Sequence, residues 1–136
     1  MLEIVDARND AEHMSMVQDL ISVSLDEDLT GFRPSYGSVL LALDDGRPAG
    51  FVCFDMDDVC KVRALYAADG SLEDTSERLL SATISLAQYN GASGVHIESS
   101  DSGDRHDSVC RRMGFYETDT CPCCQRSGSI CLNMNL

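Results

Sequence analysis

No stretch of this 136-residue chain stays apolar long enough to cross a bilayer, which takes about 20 such residues in a row. The opening, Met1-Leu2-Glu3-Ile4-Val5-Asp6, has neither a basic patch nor an apolar block, so no secretory signal is expected. Basic residues are scarce: 10 Lys and Arg stand against 23 Asp and Glu, and Lys61 is the single lysine. The net charge of −13 repels phosphate backbones and argues against nucleic-acid binding. It suits solubility in a cytoplasm, and it would attract cationic partners such as amines. With 10 Gly, 3 Pro and 43% hydrophobic residues, collagen-like and disordered classes are excluded. The length fits one domain, residues 1–136, since two halves would each be too small to hold a good core.

Seven cysteines are present, an odd number. Without a secretory signal, free thiols in a reducing cytosol are the expectation.

Alternation reads Leu2–Ala7 as a short strand. Asn9-Asp10-Ala11-Glu12 offers an N-cap with an acid three residues on. Met14, Val17, Leu20, Ile21 and Leu25 follow at helical spacing. Asp26–Ser38, with Gly31, Pro34 and Gly37, reads as a loop or broken helical turn. Asp44-Asp45-Gly46-Arg47-Pro48 between the apolar runs Val39–Leu43 and Ala49–Phe54 predicts a hairpin. After a turn at Asp55–Asp58, Val59–Ala67 reads as a third strand with Val62, Ala64 and Tyr66 on one face. Residues 72–89 form the clearest helix, with Leu72, Leu79, Leu80, Thr83, Ile84, Leu86 and Ala87 on one stripe and Asn90-Gly91 as the stop. Gly94–Ser99 reads as a strand, Asp104–Met113 as a short helix stopped by Gly114, and Phe115–Thr118 with Ser129–Met134 as a closing pair of strands. The order is β-α-(loop)-β-β-β-α-β-α-β-β, which predicts an α/β (α+β mixed-sheet) class with helices packed on a mixed sheet.

That order, with its lengths, resembles the GNAT-type N-acetyltransferase fold. Three segments carry the likeness. Gly46-Arg47-Pro48-Ala49-Gly50-Phe51-Val52 resembles the family's hairpin, Leu65-Tyr66-Ala67 followed by a helix bearing Leu79-Leu80 resembles its central strand-loop-helix, and Cys110-Arg111-Arg112-Met113-Gly114-Phe115 resembles its Tyr-x-x-x-Gly-Phe signature. The resemblance implies transfer of an acetyl group from acetyl-CoA, as co-substrate, to a primary amine on a small molecule or peptide. It implies that acetyl-CoA enters between the Val59–Ala67 and Gly94–Ser99 strands, along Leu65, Tyr66 and Ala67. It also implies a diphosphate resting on backbone N–H groups at the start of the next helix, where unpaired donors and partial positive charge favour anions.

Family members open that helix with Arg/Gln-x-x-Gly-x-Gly/Ala. Here the stretch is Ser71-Leu72-Glu73-Asp74-Thr75-Ser76, with Gly70 just before it. Gly70, Ser71, Asp74, Thr75 and Ser76 therefore mark the expected phosphate position. Ser71-x-x-Asp74 also resembles a capping box, and Glu73 and Asp74 would repel a diphosphate. A like-charge pair near 4 Å costs roughly 4 kcal/mol at an effective dielectric of 20.

At the reacting end the resemblance places Cys110 where many relatives carry a proton-donating tyrosine. A thiol, with an ordinary pKa of about 8.5, can also donate. His106 lies one helical turn earlier, a spacing compatible with a Cys-His nucleophile pair, while burial as a small apolar residue is the other reading of Cys110. Glu98 and Asp101, at the end of the Val95–Ser99 strand, are the candidate general bases. The Asp26–Ser38 segment would cover the acceptor, and Asp26, Glu27 and Asp28 would favour a cationic one. A homodimer is implied by resemblance.

Two readings of other classes stand beside this. One is a non-enzymatic binding or regulatory module that has lost the phosphate cradle. The other is a redox or metal sensor built on Cys121, Cys123, Cys124 and Cys131, although Cys-x-Cys-Cys is not the spacing of a zinc knuckle and no metal is expected. His13 is read as a surface or boundary residue, His96 as a sheet-face histidine, and the methionines at helical spacing as core.

Overall fold

Turn chemistry sets the first half of the sheet. The computed structural model describes residues 2–23, 37–68, 72–100, 107–118 and 129–136. Strands β1 (Leu2–Asp6), β2 (Ser38–Asp44), β3 (Arg47–Asp55) and β4 (Cys60–Ala67) lie side by side, each antiparallel to the next. The β2–β3 hairpin turns on Asp45 and Gly46, with φ of 51° and 84°. Two consecutive positive φ values are what a two-residue hairpin of the right twist demands, and Asp-Gly meets that demand cheaply. β5 (Gly94–Ser100) then pairs with β4 in parallel, β7 (Ser129–Asn135) lies antiparallel beside β5, and β6 (Tyr116–Thr118) forms the far edge. The order across the seven-stranded sheet is β1-β2-β3-β4-β5-β7-β6.

Helix α1 (Ala11–Val23) connects β1 to the segment before β2, α2 (Leu72–Tyr89) connects β4 to β5, and α3 (Asp107–Arg112) precedes β6. Side-chain chemistry fixes their ends. Asp10, not Asn9, is the α1 cap: its Oδ1 accepts from the backbone N–H of Glu12 at 2.9 Å and of His13 at 3.1 Å. Both other helices end in the same glycine closure. Gly91 (φ 76°) donates to Gln88 O while Ala92 donates to Ala87 O, and Gly114 (φ 107°) donates to Arg111 O while Phe115 donates to Cys110 O.

The sheet separates two apolar clusters. On one face, Leu79, Leu80 and Ala87 of α2 and Val109 of α3 join Val52, Phe54, Val62, Leu65, Val95, Ile97 and Leu132. On the other, Val17, Leu20 and Ile21 of α1 join Val39, Leu41, Phe51, Cys53 and Ala64. The buried Thr83 hydroxyl donates to Leu79 O at 2.9 Å, so its burial leaves no orphan donor. Met14, Met16, Met56, Met113 and Met134 are partly buried against these clusters. No helix is long and apolar enough to cross a membrane among the described residues.

Two further sequence expectations need correction. Val62, Ala64 and Tyr66 do not share a face. The β3–β4 register runs Cys53↔Ala64 and then Phe54↔Val62, so Arg63 is an extra residue in a bulge. Val62 thus joins the α2-side cluster, while Ala64 and Tyr66 lie with the α1 side. Leu86 is 38% exposed rather than part of the buried α2 stripe. The start of the expected third helix, residues 104–106, and the Asp26–Ser38 segment as far as residue 36 lie outside the described residues.

Candidate functional site in the parted strands

The parallel ladder between β4 and β5 is short. It consists of Cys60↔Val95, Lys61↔His96 and Val62↔Ile97, and no further pair. Yet β4 continues to Ala67, still paired with β3, and β5 continues to Ser100, still paired with β7. Beyond Val62 and Ile97 the two strands therefore part, and the Arg63–Ala67 edge of β4 has no β5 partner. An unpaired strand edge inside a sheet is a template for an extended ligand that can complete the missing hydrogen bonds.

Leu65, Tyr66 and Ala67 all lie on this edge. Their side chains point into packing: Leu65 and Ala67 are buried, and the Tyr66 ring lies 6.0 Å from that of Phe51. What the segment can offer a ligand is backbone. Its distal edge is held tightly by β3. A Cβ on Gly50 would stand 2.5 Å from Tyr66 O and 3.0 Å from Thr75 Cγ2, so only glycine lets β3, β4 and α2 approach this closely.

The start of α2 sits over the same end of β4. Thr75 and Ser76 are fully buried, so their side chains pack inward. Asp74 is exposed at the third helical position. Two arginines reach the first turns of α2, and both are engaged. Arg78 Nη2 donates to Leu2 O at 3.3 Å, and Arg112 Nη2 meets Glu77 Oε2 at 3.3 Å. Gly70 and Ser71 lie outside the described residues.

Cys110 is 1% exposed, inside the α2-side cluster. His106 and Asp101 lie outside the described residues. Glu98 is the first β5 residue beyond the last β4 pair, so the strand places it where the gap begins. One position before that pair, His96 is 6% exposed and its Nδ1 lies 2.8 Å from Asn133 Oδ1 on β7. Cross-strand register puts Lys61, His96, Asn133 and Tyr116 in one row over four strands. His13 is a boundary residue, 3.6 Å from Asp10.

No family model matches this sequence, and no curated protein matches it. Solved structures match it in shape over nearly their full length. A GNAT-family acetyltransferase of Staphylococcus aureus superposes with a TM-score of 0.77 at 13% identity, covering 99% of both chains. PaiA N-acetyltransferase of Thermoplasma acidophilum, in complex with coenzyme A, gives 0.76 at 12% identity, covering 100% of this chain and 99% of the other. A ribosomal-protein alanine N-acetyltransferase of Escherichia coli gives 0.77 at 13% identity, covering 99% and 94%. The fold is that of the GNAT-type N-acetyltransferases.

Within the GNAT fold, the chain's particular features are ones the sequence only half announced. Gly50 could have been found, since a glycine inside a strand pattern signals close backbone approach. The His96–Asn133 bond could not, because the pairing of β5 with β7 was needed to bring residues 37 positions apart together. Among the described residues no three His, Cys, Asp or Glu side chains are grouped to hold a metal. Cys121, Cys123 and Cys124 lie outside the described residues; Cys131 occupies the β7 position opposite Glu98.

Proposed function

We propose that the chain is an N-acetyltransferase that moves an acetyl group from a thioester of the acetyl-CoA class to a primary amine on a small molecule or peptide. The observation that carries this reading is the end of the β4–β5 ladder at Val62 and Ile97. The gap it leaves suits an extended pantetheine arm, whose amides pair with the β4 edge at Leu65, Tyr66 and Ala67. The GNAT fold supports the reading by likeness, and fold alone does not fix a reaction.

The transfer needs three things. The amine must reach the thioester carbonyl as a neutral nucleophile, its proton must go to a base, and the leaving sulfur must end protonated. Nitrogen attacks the carbonyl carbon, a C–N bond forms, and the C–S bond breaks with its electron pair on sulfur. In this reading Glu98 is the base that takes the amine proton. Cys110 is the donor that protonates the leaving thiolate and is restored by the proton taken from the amine. The −13 net charge draws a cationic amine toward the protein.

The test is thiol release from acetyl-CoA and acetyl-pantetheine with a panel of primary amines. Amine-dependent release is expected, reduced at least a hundredfold by Glu98→Gln and tenfold or more by Cys110→Ala, in keeping with general acid–base contributions of about 10²–10⁴. No release with any thioester and amine would overturn the reading. Full activity in Cys110→Ala would remove that thiol from the mechanism.

A further inference from the structure

We propose that the donor gap selects its thioester by the pantetheine arm and gains nothing from the nucleotide end, so the donor class is a pantetheine thioester whether or not a diphosphate is attached. This rests on the acetyltransferase reading and narrows its donor.

The two ends of such a donor meet very different surfaces. The arm meets a strand edge with five residues, Arg63–Ala67, beyond its last β5 pair. That edge is fixed from behind by the tight β3 contact at Gly50, so it is preorganised for an extended partner. A diphosphate leaving that gap over the end of β4 would meet the start of α2. There the sequence places Glu73, Asp74 and Glu77 within six residues, and no glycine from 71 to 76. Asp74 is exposed where an anion would approach the helix N-terminus.

Among the described residues Arg112 answers Glu77, which leaves Asp74 exposed at the helix start. The small side chains that allow close backbone approach, Thr75 and Ser76, are turned into the core. Arg78 is held on Leu2 O, and Arg112 is held on Glu77. The partial positive charge of a helix start is about half an elementary charge. Carboxylates in the first turn answer it as well as an added phosphate would, and each repels that phosphate.

Binding calorimetry with purified protein tests this directly, using acetyl-pantetheine and acetyl-CoA as the two probes. The expected result is acetyl-CoA binding no more than threefold tighter than acetyl-pantetheine. Raising salt from 0.05 M to 0.5 M screens the repulsion, so acetyl-CoA affinity rises while acetyl-pantetheine affinity stays level. Asp74→Asn is expected to shift the affinity ratio of the two probes about fivefold toward acetyl-CoA. If that variant fails to fold by circular dichroism, the salt series on the unaltered protein still decides.

Acetyl-CoA binding tenfold or more tighter than acetyl-pantetheine, a difference of about 1.4 kcal/mol, would overturn the proposal. So would acetyl-CoA affinity that falls with salt, the mark of a cationic phosphate site. Absence of binding by either probe at millimolar concentration overturns both this proposal and the donor reading beneath it. Equal binding of both without amine-dependent turnover leaves the proposal standing and removes the acetyltransferase reading.

Discussion

The two faces of the sheet solve different problems. On the α1 face, the buried cluster among the described residues draws on α1, Ala7 and strands β2, β3 and β4. On the α2 face, one cluster runs from Leu40 of β2 through Val62 and Leu65 of β4 to Val95 and Ile97 of β5 and Leu132 of β7. The difference bears on the parted strands. A ladder of three pairs is a weak tie between two half-sheets. The helix layer on the α2 face spans the opening and holds both halves, so the gap persists without the sheet coming apart.

The sharpest way to break this asymmetry is to hollow each layer in turn. Leu80→Ala and Phe51→Ala remove fully buried side chains on opposite faces. Each is expected to cost about 3–5 kcal/mol in urea unfolding. Only Leu80→Ala is expected to speed amide exchange in β5 and β7 beyond what global destabilisation explains. Equal exchange in both variants would show that the layers are not distinguished in this way.

Alkaline pH gives the next largest effect and probes both faces at once. Cys53 belongs to the α1-side cluster and Cys60 to the α2 side. Burial pushes the Cys53 thiol up to about 12 and the Cys60 thiol up to about 11, with Asp55 adding to both and Arg8 opposing at Cys53. A thiol whose folded pKa is raised keeps its proton while the unfolded chain loses one. Its stabilisation is therefore complete below pH 9 and is lost as pH rises toward 11 and 12. Cys53 alone accounts for up to about 4 kcal/mol over that window. Cys53→Ala is expected to flatten the decline in a pH series of thermal melts. An unchanged slope would place the alkaline sensitivity elsewhere.

Gly50→Ala sharpens the comparison locally. Its new Cβ would meet the Tyr66 carbonyl, forcing β3 from β4, at a cost of about 1–3 kcal/mol. Because Gly50 backs the proposed donor edge, thioester affinity should fall more than stability does. The smallest effect is Asp10→Ala, which uncaps α1 and costs about 1 kcal/mol without touching donor binding. Loss of thioester affinity in that variant would couple the α1 layer to the gap.

Local chemistry made much of this fold readable. The Asp45-Gly46 turn, the Gly91 and Gly114 stops and the α2 periodicity each follow from residues near in sequence. What could not be read depended on pairing at a distance. The Arg63 bulge follows from matching β4 against β3, and strict alternation therefore placed Ala64 and Tyr66 on the wrong side. Leu86 fits the α2 stripe by angle, yet near the helix end no neighbour covers it fully. At the site, the resemblance picked out the two strands, the entry between them and the helix, and the broken ladder adds where they part, beyond Val62 and Ile97. Thr75 and Ser76, at the expected phosphate positions, have buried side chains, which the sequence did not foretell.

The bulge at Arg63 leaves the chain with a strand that changes step halfway. Its lower part keeps time with one core and its upper part with the other, and the beat shifts at the level where the neighbouring strand departs. Deleting that one arginine would set Val62 and Ala64 next to each other opposite Phe54 and Cys53, a regular ladder in which every remaining side chain keeps the face it already has. The shortened strand would lose only the local bend where its neighbour leaves it, so the two cores would survive a missing codon here better than one at any regular position of the same strand.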